Sequence, residues 1–468
     1  MSACFKTLCA AALLCAAVVL HAEEPAPAES ASAEEARQAA VPVKLQLTLE
    51  DAKQIALKNN PTLAVARANI LAARAAVKSA RGAYYPTLDI SAGYTRIEDY
   101  AQGRPNSDYP SHDRYDLGLS AGWLLYNGGA RRFNELIAIE GGRTAINECQ
   151  DAKRILLDQV AAAFYLVIRS QNSMDISKQD ADFNRQLEND ARERNRLGTA
   201  KASEVLNFEY QVANAEANYI SAESYWRTAC VILGKLLVLD QADIWENLEL
   251  ACPDDSIFAD FQCDIPALIE YAGQHRPDVR KARSQLKTAD YGIKVAQADW
   301  QPNLSAFLDY GFVRDSNFHF NSHSDRNFSF GLKASWNIFK GFATDAAIAR
   351  AKASRKMAWS TLSNTMLELE AEIRQAVINF ESSKKTLAQQ TKLHKIAQDI
   401  RDLVHEEYLG GTATITRLNE AQTNLTNAAL SLSNAHVQVL TSLETLNAAT
   451  AKNLEGMGGR RKNAEAGK

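Results

Sequence analysis

The sequence predicts a mixed α/β membrane protein whose chain is one unit written twice. Three observations predict it. The stretch SAGWLLYNGG at 120–129 has a counterpart, KASWNIFKGF, at 333–342. Both lie within segments of strict two-residue alternation, long enough to cross a bilayer. Each is followed by a long unbroken stretch whose apolar residues step by three and four, the habit of supercoiled helices.

Residues 1–22 read as a secretory signal peptide: Lys6, an apolar run over 8–20, then Leu20-His21-Ala22 as a small-residue cleavage site. Cys15 suggests a lipoprotein signal, but Leu14 stands where a small residue is wanted. Residues 23–43 are an acidic Ala/Pro/Glu/Ser tract without apolar period and read as a flexible leader. No segment after the signal is apolar for 18 residues, so no transmembrane helix is expected. Residues 453–468 read as a disordered tail.

The body between them is duplicated. Pro61, Ala66, Arg67, Pro86 and Tyr94 recur 216 residues later as Pro277, Ala282, Arg283, Pro302 and Tyr310. Beyond them the offset is 213, pairing Gly118, Leu119 and Trp123 with Gly331, Leu332 and Trp336. One change of offset places a loop three residues longer in the first half. Repeat 1 is assigned to 44–263 and repeat 2 to 264–452.

Each repeat opens with a short helix, a break at Pro61 or Pro277, and an Ala-rich helix ended by Pro86 or its twin Pro302. The period then becomes two. Leu88, Ile90, Ala92 and Tyr94 lie on one face, with Asp89, Ser91, Gly93 and Thr95 on the other. Alternation resumes from Tyr115 through Trp123 to Leu125, giving a β-hairpin at about 87–126. Its twin, about 303–339, runs from Leu304 to Phe312 and from Phe328 through Trp336 to Ile338. Strands of about 10 to 12 residues suit a tilted bilayer crossing. Tyr94, Tyr115, Trp123, Tyr310, Phe328 and Trp336 are the candidate membrane-interface aromatics. Four strands cannot close a barrel, and lipid does not tolerate open sheet edges, so the chain is expected to oligomerise.

The remainder is helical: hairpins at about 129–240 and 341–452, the first followed by a connecting loop. Helices from Gly129 to about Arg196 and from Gly341 to about Tyr408 each span roughly 100 Å. The returning helices keep a heptad register, from Val205 to Leu236 and again from Leu418 to Ala449. Leu362, Met366, Leu369, Ile373, Ala376 and Phe380 continue it on the outgoing helix.

With these residues set out, the chain resembles the TolC-type outer-membrane efflux channels, the outer membrane factors, over about residues 44–450. The duplication, Asn60-Pro61 with its twin step at Pro277, Pro86 and Pro302 before strands, and the Gly turns carry the resemblance. It implies a homotrimer in which three four-stranded sheets close a 12-stranded outer-membrane β-barrel, continued by a long periplasmic α-helical barrel. The implied place is the outer membrane of a Gram-negative bacterium, in contact with lipid and extending far into the periplasm. The implied function is the passive exit duct of a tripartite efflux or type I secretion system, fed by an inner-membrane pump through a periplasmic adaptor, with no cofactor.

By the same resemblance the helical turns Arg196-Leu197-Gly198-Thr199-Ala200 and Leu409-Gly410-Gly411-Thr412-Ala413 are the tips that adaptors engage. Glycine also simply permits the reversal there. Relatives carry two acidic positions inside the second tip. This chain has Arg417 at the first and Glu420 at the second, and Glu204 is the twin of Arg417. Glu204, Arg417 and Glu420 are therefore the periplasmic gate candidates, with a Glu204–Arg417 pair as the expected latch.

Other functions find less support. A net charge of −4 gives no reason to expect nucleic acid. The eight His are scattered, and no nucleophile arrangement or phosphate loop sits at a strand–helix junction, so no enzyme is expected. His319 and His323 share a loop, not a helix face, which makes a poor metal site. Cys252 and Cys263 flank a short loop and either form a disulfide or remain free thiols. An exported trimeric coiled-coil structural or adhesion protein explains the heptads, but not four bilayer-length strands at matching places.

Overall fold

The computed structural model describes residues 45–97, 112–199, 201–239, 248–251, 264–315, 320 and 324–455. Its elements come in two matched sets. Strand β1 (Leu45–Leu47) leads into α1 (Leu49–Asn59), α2 (Pro61–Gly82), β2 (Thr87–Ile97), β3 (His112–Asn127), α3 (Ala130–Arg196) and α4 (Ala202–Leu237). After the short β4 (Leu248–Leu250) come α5 (Ile265–His275), α6 (Pro277–Ala298), β5 (Asn303–Asp315), β6 (Arg326–Ser335), α7 (Ala343–Leu409) and α8 (Ile415–Thr450). Helix lengths run 11, 22, 67 and 36 residues in both sets. β1 pairs with β4, and three residues apiece are too few to leave a period in sequence.

The larger sheet is antiparallel in the order β2-β3-β5-β6. Its register aligns rows across all four strands, such as Leu88–Ala121–Leu308–Phe330 and Ile90–Leu119–Tyr310–Phe328. The intervening rows carry Asp89–Ser120–Asp309–Ser329 on the opposite face. β3 has 16 residues, with Leu125 the extra residue where the register shifts. β6 is shorter than its sequence alternation. It ends at Ser335, opposite the first residue of β5, so Trp336 and Ile338 lie beyond the strand. Their alternation has no ladder to join, because Pro302 precedes β5 and offers no N–H.

The twin tryptophans close the joint between sheet and helices. Trp123 Nε1 donates to Tyr84 O (2.9 Å), and Trp336 Nε1 donates to Trp300 O (3.1 Å). Tyr84 and Trp300 stand 216 residues apart, so each repeat ties the turn entering its hairpin to the tryptophan on the segment leaving it. Gly128 and Gly341 follow with φ of +65° and +58°. Phe342 then adopts φ +64° where the first repeat has Gly129, a conformation costly for a residue with a Cβ.

The returning helices are anchored at their C-terminal ends by a second twin device. Asn60 Oδ1 caps α2 through Thr62 N (2.9 Å), while its Nδ2 donates to Leu236 O (3.1 Å) near the end of α4. Arg276, the twin of Asn60, donates from Nη1 to Ala449 O (3.0 Å), the twin of Leu236. Arg154 adds a bond to Ala448 O (3.2 Å). Two guanidinium groups thus face the negative end of the α8 dipole. Arg276 is 5% exposed, so its charge needs acids, and Asp278 (2.6 Å) and Glu372 (2.5 Å) supply them. Burial pushes the Asp278 carboxyl up, but hydrogen bonds and charge from Arg276 outweigh it and hold that group below its ordinary value. Asp158 nearby is shifted the other way. Burial raises it, Arg154 opposes, and the Glu444 and Glu372 carboxylates add to the rise.

Three apolar clusters follow the helices. The main one joins Leu47 and Ala56 to Val160, Phe164, Leu233 and Leu440. A second packs Leu268 and Val279 on Ile373 and Leu446. A third, near the hairpin turns, holds Leu187, Phe208, Val404 and Leu418. Heptad residues of α4 and α8 are buried or half-buried throughout, whereas Met366 of α7 is exposed. The expected tail begins later than its composition suggests. Asn453 Nδ2 donates to Arg154 O (3.1 Å) and Tyr271 hydrogen-bonds Glu455, so residues 453–455 are held by the body.

Arg276→Ala should destabilise the protein by about 3–5 kcal/mol, because it strands two carboxylates and a helix end. Asn60→Ala should cost about 1 kcal/mol. Thermal unfolding followed by helical circular dichroism checks the order. For Asp158 the folded pKa lies above the unfolded one, so its contribution is present at low pH and lost as pH rises through the folded value. Asp158→Asn should therefore raise the melting temperature at pH 7, with the gain vanishing toward the ordinary carboxylate range.

Candidate functional site

Both helical turns are built by one backbone motif. At the first, Gly198 adopts φ +78°; its N–H donates to Asn195 O (2.9 Å) and Thr199 N–H donates to Arg194 O (2.9 Å). At the second, Gly411 adopts φ +76°; its N–H donates to Tyr408 O (3.0 Å) and Thr412 N–H donates to Glu407 O (2.9 Å). This six-to-one and five-to-two pairing satisfies carbonyls left over at the helix ends. Each Thr hydroxyl adds a bond to the same carbonyl, at 3.0 Å in both turns. The repeated Gly-Thr is therefore a helix stop with a left-handed residue and a supporting hydroxyl.

The turns display few anchored side chains. Leu197 and Leu409 are exposed, and among the described residues Arg196 pairs with Glu193 (2.9 Å). Gly410 caps α7, Ala413 packs against the third cluster, and Ala200 lies outside the described residues. Just behind them Arg194 Nη2 donates to Tyr408 OH (2.8 Å) and lies over its ring, joining the two hairpins.

Of the gate candidates, Glu204 is half-buried while Arg417 and Glu420 are exposed. Thr414 caps α8 by accepting from Arg417 N (3.4 Å), which leaves the guanidinium unused by the cap. Among the described residues no ion pair joins Glu204 to Arg417 within the chain. A hydrogen bond from Asn419 Nδ2 to Asn207 Oδ1 (2.8 Å) bridges α4 and α8 at this level.

Above the turns α3, α4 and α8 enclose a polar groove of roughly 850 Å³, which the sequence reading missed. Asp180 Oδ1 accepts from Gln422 Nε2 (2.7 Å) and Thr426 Oγ1 (2.9 Å), tying α3 to α8. A signal was present: Asn214 and Ser221 line the groove from α4, and their twins Asn427 and Asn434 line it from α8.

The apolar sheet face is exposed at Leu88, Ile90, Phe330 and Leu332. Tyr94 faces Tyr115 at the end far from the helices (ring centroids 5.3 Å apart), and Trp123 and Trp336 sit at the helix end. Tyr310 lies in the middle of β5 and packs edge-on against Phe328 near the start of β6. Among the described residues no cluster of His, Cys, Asp and Glu is placed to hold a metal, and no helix is long and apolar enough to cross a membrane. Cys252, Cys263, His319 and His323 lie outside the described residues. Cys149 and Cys230 are buried free thiols, and burial pushes Cys230 up to about 11.

The sequence profile of the family described as "Outer membrane efflux protein" matches residues 52–237 and 268–452, one segment in each half. The probable efflux pump outer membrane protein TtgC of Pseudomonas putida is 24% identical over 400 residues, covering 84% of this chain and 81% of its own. Outer membrane protein TolC of Vibrio cholerae is 23% identical over 397 residues, covering 83% and 87%. The crystal structure of the Campylobacter jejuni CmeC outer membrane channel shares the fold, with a TM-score of 0.76 at 18% identity, covering 87% and 88%.

Gly411→Ala should cost about 1–2 kcal/mol from left-handed strain alone, because a Cβ there meets nothing within 4 Å. Gly128→Ala should cost more, since its Cβ would stand 2.6 Å from Ala298 O. Hydrogen exchange should accelerate near the turn for the first and at the sheet–helix joint for the second.

Proposed function

The chain belongs to the outer membrane efflux protein family, and we propose on that premise that it is the outer-membrane exit duct of a tripartite efflux system. The duct is non-enzymatic and conducts what an inner-membrane pump delivers through a periplasmic adaptor. The observation that carries this reading is the four-stranded sheet, with one exposed apolar face and two edges unpaired among the described residues, joined to 67-residue helices in both halves.

Three copies would close these sheets into a 12-stranded barrel, with the Asp89–Asp309 face lining the lumen. Exposed apolar seams on the helices support self-association. Leu206, Tyr210 and Ile220 follow heptad spacing on α4, and Leu393, Ile396, Ile400 and Leu403 follow it on α7. The aromatic rows at the two ends of the sheet suit the membrane interfaces. Relatives named as efflux pump components favour efflux over protein secretion.

The adaptor would meet the turns at 196–200 and 409–413, whose exposed Leu197 and Leu409 are free to pack on a partner. Since Glu204 and Arg417 do not pair within one chain, the latch we propose runs between neighbouring copies, with Glu420 one turn further inside.

Single-channel recording in a planar bilayer tests both parts. Small, steady wild-type openings that enlarge in Arg417→Glu are expected. Openings of unchanged size would remove the latch and keep the duct. No conductance from either protein, each verified as a trimer, would contradict the duct.

A further inference from the structure

The helix pair α3–α6 carries a recess of roughly 300 Å³, at the small end of ligand-site volumes. Arg143 and Asn147 of α3 wall one side; Arg280, Arg283, Ser284 and Lys287 of α6 wall the other. Four cations therefore face one concavity. Among the described residues one carboxylate pairs with them: Glu140 Oε1 accepts from Arg143 Nη1 at 2.5 Å. Arg280 Nε donates to Gln274 O (3.0 Å). Among the described residues Arg283 and Lys287 have no ion pair and no hydrogen bond.

This arrangement works against the helix that bears it. Arg280 and Arg283 are three residues apart, Arg283 and Lys287 four, so like charges are neighbours on one face. The fold does not require them. The first repeat builds the same helix with Ala64, Arg67 and Leu71 at the matching positions. The second repeat has thus gained two cations facing a recess whose described lining holds no acid, and Asp290, one turn beyond Lys287, pairs with Arg355 instead.

We propose that this recess is a binding site for a soluble phosphate-type oxyanion with the charge of a diphosphate. Arg280 and Arg283 offer planar forks that match phosphate oxygens, and Lys287 supplies a compact charge. Asn147 adds a neutral donor at the rim, beside the buried Ser284. Position selects the source. Lys287 lies about 16 Å along α6 from its end at Ala298, and Arg143 about 20 Å along α3 from its start at Ala130. Headgroups extend only roughly 5–8 Å beyond the hydrocarbon core, so a membrane lipid does not reach the recess. The site goes beyond the duct reading, and only its choice of a soluble anion over a lipid rests on that reading, through the sheet's place in the membrane.

Calorimetric titration of the full-length, detergent-extracted protein with sodium diphosphate tests the proposal. The expected result is one saturable site per chain, weakened at least tenfold in R283Q/K287Q and about threefold in K287Q alone. Both residues are exposed, and helical circular dichroism verifies the fold of each variant. Lys356→Gln, which removes the cation at the twin of Arg143, should leave binding unchanged. Absence of saturable binding, or equal weakening by Lys356→Gln, would overturn the site. Tighter binding of short-chain phosphatidic acid than of diphosphate would also overturn it, in favour of a lipid headgroup.

Discussion

One constraint governs the molecule: a four-stranded sheet whose apolar face is covered by nothing among the described residues. Ile90 is 78% exposed and Phe330 74%, in a sheet whose outer strands β2 and β6 each have one unpaired edge. In water such a face is an association hazard. In lipid the face is satisfied and the edges are not, because hydrocarbon offers no hydrogen bonds. Both demands are met when copies close edge to edge within a membrane. The duplication follows naturally, since a closed ring needs many equivalent staves and a chain that repeats itself supplies two hairpins.

The helices below answer a different requirement. Long helices can deliver a defined geometry only if one end is held. Here the C-terminal ends of α4 and α8 are held by Asn60, Arg154 and Arg276, beside the largest apolar cluster. The opposite ends carry a smaller cluster and two backbone turns with exposed leucines. Packing is therefore concentrated at mid-length, and the turns are the lightly held part. The two repeats have also diverged at matched places. Arg276 replaces Asn60, Phe342 replaces Gly129, and Lys287 replaces Leu71. Each substitution places charge or bulk where the other half manages without it.

Much of the fold was legible because it rests on period and on repetition. The two-residue alternation marked all four long strands, and the constant offsets matched every long helix to its twin. What escaped had no periodic signature. Strands β1 and β4 are three residues long, and the end of β6 is set by where β5 begins, not by its own alternation. The Gly-Thr turns were visible, yet their reason, two backbone bonds and a hydroxyl on one carbonyl, depends on φ angles. At the gate candidates charge sign alone suggested a partner for Arg417. Within one chain a hydrogen bond between two asparagines links α4 and α8, and their side chains give no sign in sequence of which neighbour they meet. The polar groove behind them needed three helices to be placed before its lining residues met.

We infer that this sheet is completed by other copies of the same chain. The mass of the detergent-extracted particle, by native mass spectrometry after removal of detergent, tests it most directly. Three chains are expected. A single chain that remains stable and extractable from the membrane would contradict it.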